Sequence, residues 1–260
     1  MSNPLIIGHR GDSAHAPENT LLAFDLAVAG GCDGLEFDVR LASDGVPVII
    51  HDPDLRRTAG QPGAVRSMTS TELGKIDAGS WFNKQYPHRA APQFARARLP
   101  LLSEVLGRYS GSRLVLYVEL KCSKAEAGPL ASVVVTMLHD HDVARNAIVE
   151  SFDLDAIRQV KQIDASIRTA ALFEPTLRPR SLSIGRIIED ARAVRADQIA
   201  LHHSLLTASR ATRIIDVGLE IAVWTVDKPR WIPFALEHKV TALITNTPHE
   251  MVVSRDLAAS

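Results

Sequence analysis

Residues Leu5 to Asp52 read LIIGHRGDSAHAPENTLLAFDLAVAGGCDGLEFDVRLASDGVPVIIHD, and they set a pattern that the rest of the chain repeats. An apolar run at Leu5–Gly8 leads through a helical pattern near residues 20–29 to a second apolar run at Leu35–Val39. Within that second run Glu36 and Asp38 stand two residues apart. Strand side chains alternate faces, so the two carboxylates point one way and Leu35, Phe37 and Val39 the other. Like charges side by side on a largely buried strand are costly unless something positive neutralises them. A bound cation is therefore the first expectation.

The alternation continues outward. Further strand candidates are Pro47–Ile50, Leu114–Leu120, Ala147–Ser151, Arg168–Phe173, Gln198–Leu201, Glu220–Val226 and Ala242–Thr245. Helical patterns near 126–139, 154–162, 181–194, 205–217, 229–238 and 249–257 fill most of the gaps. Such an order means βαβ units and a parallel sheet. About eight units in a chain of this length make an α/β fold of the (β/α)8 TIM-barrel type, one domain over residues 1–260. No G-x-G-x-x-G or G-x-x-x-x-G-K-[ST] favours an open doubly wound sheet.

Two places break the rhythm. Between Asp38 and His51 there is no room for a helix, and Ser43-Asp44-Gly45 is a turn signal. Local rules make a hairpin there, whereas a regular barrel needs an extended crossover. Both keep His51 near Glu36. The second break is Pro53 to Pro100, which lacks a core strand pattern and holds one short helix candidate, where Thr69-Ser70-Thr71-Glu72 fits a capping box. A segment this long between barrel strands reads as a functional cap.

Composition excludes several classes. Apolar residues make up 46% and charged residues 23%, with a net charge of −1, so nothing pulls the chain toward nucleic acid or an anionic membrane surface. No apolar run approaches the roughly 18 residues of a membrane span, and Met-Ser-Asn-Pro does not open a secretory signal. Cys32 and Cys122 make neither a disulfide framework nor a zinc spacing, which points to a reduced, cytoplasmic setting.

Polar residues at the C-terminal ends of barrel strands line active sites. Here those ends read His9-Arg10, Glu36-Asp38, His51-Asp52, Glu119-Lys121, Ser151, Glu174, His202-His203, Trp224-Thr225 and Thr245-Asn246. Glu119 and Lys121 repeat the same-face arrangement of Glu36 and Asp38. Three inward carboxylates suit a hard, oxygen-preferring cation such as Mg²⁺ or Ca²⁺. As further ligands, His9 and His51 would favour Zn²⁺ or Mn²⁺; as acid and base, their ordinary pKa values suit neutral pH. Trp224 is a candidate for the substrate wall. His15, His88, His139, His141, His238 and His249 read as surface residues, His202 and His203 as structural, and Arg89, Arg96 and Arg98 as a solvated loop. Cys122 should face away from Lys121, against a nucleophilic role.

An ordered set of short motifs carries a resemblance over essentially the whole chain. His9-Arg10-Gly11, Pro17-Glu18-Asn19-Thr20, Glu36-Phe37-Asp38-Val39 and Asp44-Gly45-Val46-Pro47-Val48 lead to His51-Asp52. Leu55-Arg56-Arg57-Thr58, Asp77-Ala78-Gly79-Ser80-Trp81-Phe82, Leu99-Pro100, Leu102-Ser103-Glu104-Val105-Leu106, Glu119-Leu120-Lys121, Trp224-Thr225-Val226 and Ile244-Thr245-Asn246 continue it. In these the chain resembles the glycerophosphodiester phosphodiesterase family. The resemblance implies a somewhat distorted barrel with a small insertion, residues 53–100, after the third strand. It implies hydrolysis of glycerophosphodiesters to glycerol 3-phosphate and an alcohol. Glu36, Asp38 and Glu119 would hold one divalent cation, Mg²⁺ or Ca²⁺ with Mn²⁺ also fitting. His9 and His51 would be acid and base, and Arg10 and Lys121 would neutralise the phosphate. Residues 85–98 are a longer basic stretch than the family pattern, and residues 125–215 carry little of its signature.

The implied partner is a small-molecule diester, with no nucleic acid and no stable membrane insertion, for a monomer or a homo-oligomer. Two other activities compete: a lysophospholipase D acting on longer-chain lipids, and a Schiff-base aldolase using Lys121.

Overall fold

The structure, a computed structural model, describes residues 3–175 and 183–259. The elements in order are β1 (Leu5–His9), α1 (Leu21–Ala29), β2 (Gly34–Leu41), β3 (Pro47–Ile49), α2 (Arg56–Ala59), α3 (Ser70–Leu73), α4 (Ser80–Gln85) and α5 (Leu102–Tyr109). They continue as β4 (Val115–Leu120), α6 (Ala127–Asp140), β5 (Ala147–Ser151), α7 (Leu154–Ile163), β6 (Arg168–Phe173) and α8 (Ile184–Ala193). The last are β7 (Gln198–His202), α9 (Ala208–Ile215), β8 (Glu220–Trp224), α10 (Trp231–Glu237), β9 (Ala242–Thr245) and α11 (Pro248–Ala259). Residues 181 and 182 of the helix expected over 181–194 lie outside the described residues.

Eight parallel strands stand in the order β1-β9-β8-β7-β6-β5-β4-β2, and β1 pairs with β2 to close the barrel. Two apolar layers result. Inside the barrel Ile7, Tyr117, Ile148, Ala170, Leu172 and Ile244 pack together with Ala200, Ala222 and Ala242. Outside, the opposite strand faces meet the helices in two larger clusters, one centred on Phe37, Val118 and Val134, the other on Ile199, Ile214 and Val223. The strands are buried on both faces, which is why they read as near-continuous apolar runs rather than strict alternation.

Between Asp38 and His51 the hairpin wins. β3 is antiparallel to β2, pairing Val39 with Ile49 and Leu41 with Pro47. Gly45 turns the chain with φ +78°, a conformation that favours glycine, and its amide donates to the Ala42 carbonyl at 3.0 Å. β3 thus extends β2 above the barrel mouth and delivers His51 beside the carboxylate strand.

The segment after β3 is more structured than the sequence expectation of one short helix. It holds α2, α3 and α4 with three 3-10 turns. The expected capping box is present: the Thr69 hydroxyl accepts from the Glu72 amide, and the Glu72 carboxylate accepts from the Thr69 amide at 2.8 Å. Elements of one turn gain little from their own hydrogen bonds; burial holds them. Leu55, Val65, Leu73 and Leu99 pack on Val48 and Ile50 of the hairpin side, and burying such a side chain contributes about 1.5–3 kcal/mol. Phe82 and Phe94 pack on Ala16 and Ala23, so the same segment also grips the loop after β1. Helix α5 is a further element absent from the sequence reading, although Leu102, Val105, Leu106 and Tyr109 are buried at helical spacing.

One close approach locks this cap. A Cβ at Gly79 would lie 1.9 Å from the Phe94 carbonyl oxygen. Gly79→Ala should cost about 1–3 kcal/mol of local stability and open residues 79–98 to limited proteolysis while the barrel core stays resistant. A digestion pattern identical to that of the parent protein would contradict this packing.

Candidate active site

The first barrel turn builds a tight frame at the C-terminal ends of the strands. Arg10 has φ 56°, in the left-handed region, and its amide donates to the Glu36 carbonyl and to Glu36 Oε2, each at 2.9 Å. Gly11 follows at φ +82°, where a Cβ would lie 2.5 Å from the Ala23 carbonyl carbon. His9 and Arg10 are thereby turned over the barrel mouth toward β2.

A cavity of about 430 Å³ opens there. His9, Arg10, Glu36, His51, Glu119, Lys121 and Trp224 line it, so seven of the eight residues singled out in the sequence share one wall. The eighth, Asp38, is fully buried just behind, 3.0 Å from Arg10 Nε and 3.3 Å from Lys121 Nζ. Lys121 Nζ also lies 2.6 Å from Glu119 Oε1. Oxygens of Glu36, Asp38 and Glu119 come within 4.8 Å of one another. Glu36 Oε1, Asp38 Oδ1 and Glu119 Oε1 are buried and make no well-aligned hydrogen bond, although the last two sit in ion-pair range of Lys121. Glu36 Oε1 alone has neither a hydrogen bond nor an ion pair, and such an orphaned oxygen is costly. The convergence of the three carboxyl groups fits a hard cation, and neither histidine belongs to the cluster.

The electrostatics separate the three carboxyls. Burial, reinforced by Asp38 and Glu150, holds Glu36 well above the usual carboxylate range. Burial also pushes Glu119 up to about 7, against the pull of Lys121. For Asp38, burial works upward, but Arg10 and Lys121 outweigh it and hold the group well below that range. Asn19 adds a hydrogen bond from its amide to Asp38 Oδ2 at 2.7 Å.

Both histidines are oriented by hydrogen bonds that fix their tautomers. His9 Nδ1 lies 2.7 Å from Asn246 Oδ1. The amide cannot be reversed, because Asn246 Nδ2 donates to Asp227 Oδ2 at 2.9 Å. A carbonyl oxygen only accepts, so His9 carries its proton on Nδ1 and leaves the Nε2 lone pair free. His51 Nδ1 lies 2.7 Å from Asp52 Oδ1, and a carboxylate imposes the same tautomer. Burial, with Arg10 beside it, lowers His9 to about 4; burial lowers His51 as well. His9 is therefore neutral at pH 7.

A chain of charges ties the frame together. Arg57, in the cap helix α2, donates to both oxygens of Glu18 at 2.7 and 2.8 Å and to Asp52 at 2.7 Å. Glu18 also accepts from Arg10 at 2.8 Å. Asp52 is lowered to about 2: burial opposes this, and the bonds from Arg57 and His51 prevail. Trp224 meets the Phe152 ring edge-on at 5.5 Å, and Phe152 in turn lies 5.4 Å from Lys121 Nζ.

Sequence reasoning gave no role to Asn246, Asp227, Glu18, Asn19, Arg57, Asp52 or Glu150. Most of these stand inside the quoted motifs, so the signal was present but only a structure shows who bonds to whom. Glu150 is different: it sits one residue before the strand end, inside a run that reads as plain core. Of the surface histidines none lines this cavity. Arg89 is exposed as expected, yet its guanidinium donates to the Ala14 carbonyl and lines a second cleft of about 330 Å³ that shares His9 and Arg10 with the first. For Cys122, burial pushes the thiol up to about 12, which leaves it unreactive.

Known proteins resemble this chain along nearly its whole length. Residues 9–250 match the model of the glycerophosphoryl diester phosphodiesterase family. YhdW of Bacillus subtilis is 34% identical over 94% of each chain. The glycerophosphodiester phosphodiesterase of Caldanaerobacter subterraneus is 27% identical over 95% of this chain and 96% of its own. An Oleispira antarctica phosphodiesterase, solved in complex with the product sn-glycerol-3-phosphate, superposes with a TM-score of 0.82 at 25% identity, covering 98% of this chain and 97% of that one. The chain belongs to the glycerophosphoryl diester phosphodiesterase family.

Proposed function

We propose that this protein hydrolyses glycerophosphodiesters to glycerol 3-phosphate and an alcohol, with one divalent cation held by Glu36, Asp38 and Glu119. The observation that carries the reading is the convergence of three buried carboxyl groups with two hydrogen-bond-oriented histidines at one end of the barrel. Relatives named for this activity, and the Oleispira enzyme with its bound product, support it. The all-oxygen donor set favours Mg²⁺ or Ca²⁺, with Mn²⁺ tolerated. When bound, the cation supplies Lewis-acid polarisation of a phosphoryl oxygen and offsets the diester's charge.

The chain's own residues supply the rest. Arg10 and Lys121 hold the phosphate between β1 and β4. His9, backed by a neutral amide, takes a proton at Nε2 from the attacking hydroxyl, either a glycerol hydroxyl that closes a cyclic phosphate or water. His51 is backed by the Asp52 carboxylate, which stabilises an imidazolium, so it is the better placed to hold a proton and deliver it to the leaving alcohol. Asp227 and Asn246 act through His9 as positioning residues, and Arg57 acts through Asp52. Trp224 and Phe152 form an apolar wall beside the phosphate.

The Schiff-base alternative fits poorly. Burial works to lower Lys121, but Glu119 and Asp38 prevail and raise it, so the amine stays protonated and is no nucleophile. Among the described residues no helix is long and apolar enough to cross a membrane, in keeping with a small, water-soluble substrate.

Replacing His9 or His51 with alanine should lower kcat by about 10²–10⁴, with an unchanged circular dichroism spectrum and unchanged Mn²⁺ affinity. Near-wild-type turnover of glycerophosphocholine by both variants would remove the assigned roles. Cation binding must also release a proton, since Glu119 is pushed up to about 7 and binds as the carboxylate. Glu36 is raised as well, so affinity should weaken steadily as pH falls through about 7 and below. Calorimetry in two buffers of different ionisation enthalpy reads this directly, and a pH-independent affinity would contradict it.

A further inference from the structure

Glu150 is a buried acid with no task in the chemistry above. It is 1% exposed, lies on β5 directly opposite Glu119 in the strand register, and lines the 430 Å³ cavity. Its Oε2 has no hydrogen-bond partner. It stands outside the carboxylate cluster suited to a cation, and the ammonium of Lys121 is already engaged by Glu119 and Asp38. On its other side the register partner is Ala170, and the interior is apolar, with Ile148 and Leu172 and the short side chains of Ala200 and Ala222. Burial, with Glu119 beside it, holds this carboxyl well above the usual carboxylate range, and a carboxyl placed there without a partner is expensive to bury. The fold does not ask for it.

The substrate has two arms, and the structure has two hollows that meet at His9 and Arg10. The 330 Å³ cleft lies beneath the cap, between Trp81, Tyr86 and Arg89 on one side and Ser13 on the other. Its half-buried aromatics and exposed Arg89 and Asp227 can accept alcohols of different kinds. The 430 Å³ cavity runs from the charged groups down to Leu172 and Ile244 of the barrel interior, with Glu150 on its wall, and is large enough for a short polyol. Around the barrel the side chains run from His9 on β1 to Glu36 and Asp38 on β2, Glu119 and Lys121 on β4, and then Glu150 on β5. With phosphorus beside His9, Arg10 and Lys121, the hydroxyl nearest phosphorus faces the catalytic groups. The terminal hydroxyl is the one that reaches on to Glu150.

Resting on the diester-hydrolase reading, we infer that Glu150 accepts a hydrogen bond from the terminal hydroxyl of the glycerol arm, and so restricts the site to diesters whose glycerol is free at that position. An acylated or alkylated oxygen has no proton to donate and would seal Glu150 without a partner. Sites built to bond a substrate hydroxyl discriminate strongly against analogues that lack it, because the protein group is left unpaired. Lysophospholipids acylated at that oxygen are therefore excluded by chemistry as well as by size.

The test compares glycerophosphocholine with its 1-deoxy analogue and its 1-O-methyl ether, which lack only the terminal donor and keep the hydroxyl next to phosphorus. The parent enzyme should prefer glycerophosphocholine in kcat/KM by about tenfold, the scale of leaving one buried acceptor unpaired. Glu150→Ala should lose about that factor on glycerophosphocholine and change less than about twofold on either analogue, so the preference collapses. Glu150→Gln, whose amide oxygen still accepts, should keep part of it. Mn²⁺ affinity by calorimetry should fall in neither variant. Equal losses on every substrate, a parent enzyme without preference, or a fall in Mn²⁺ affinity would each overturn the inference. Complete inactivity of the parent enzyme on glycerophosphocholine would instead remove the hydrolase reading, and the inference with it.

Discussion

Four buried carboxyls on three strands, Glu36, Asp38, Glu119 and Glu150, face two buried or half-buried cations, Arg10 and Lys121. That imbalance governs the upper end of the barrel. Asp38 takes both cations and is ionised; Glu36 and Glu119 are pushed upward by burial and repulsion. A divalent cation would relieve such crowding, and a monoanionic diester would then complete the charge. The site is thus strained for binding rather than for stability, since a barrel of the same shape would fold more easily with apolar side chains at these positions.

The surrounding frame follows from holding that cluster in place. Arg10 can bridge Glu18 and Asp38 only because its backbone adopts the left-handed region and Gly11 lets the chain pass close to Ala23. The hairpin β2–β3 brings His51 over β2 without a crossover helix. The cap contributes Arg57, which joins Glu18 to Asp52 and so couples the barrel side of the site to the histidine on the hairpin. The inserted segment is therefore part of the catalytic frame as well as its roof.

Much of this was legible in the sequence. Strand runs such as Ala147–Ser151 and Arg168–Phe173 coincide with β5 and β6, because buried parallel strands have little other way to be written. The same-face spacing of Glu36 with Asp38 and of Glu119 with Lys121 follows from strand geometry alone. The hairpin over Ala42–Val46 was open because turn residues signal a reversal but not which partner the next strand finds. The cap was underread because helices of one turn carry no periodic signal; they exist through burial of Leu55, Leu73 and Phe82 against distant residues. Glu150 was invisible for the opposite reason: it interrupts a core strand with a carboxyl for which no local pattern supplies a partner.

The central claim is that the three carboxylates form one cation site at the mouth of the barrel. Anomalous diffraction from crystals soaked in Mn²⁺ tests it most directly. The account predicts a single strong peak within about 2.0–2.6 Å of oxygens from Glu36, Asp38 and Glu119, with His9 and His51 uncoordinated. A peak elsewhere, coordination by either histidine, or no peak at saturating Mn²⁺ would contradict it.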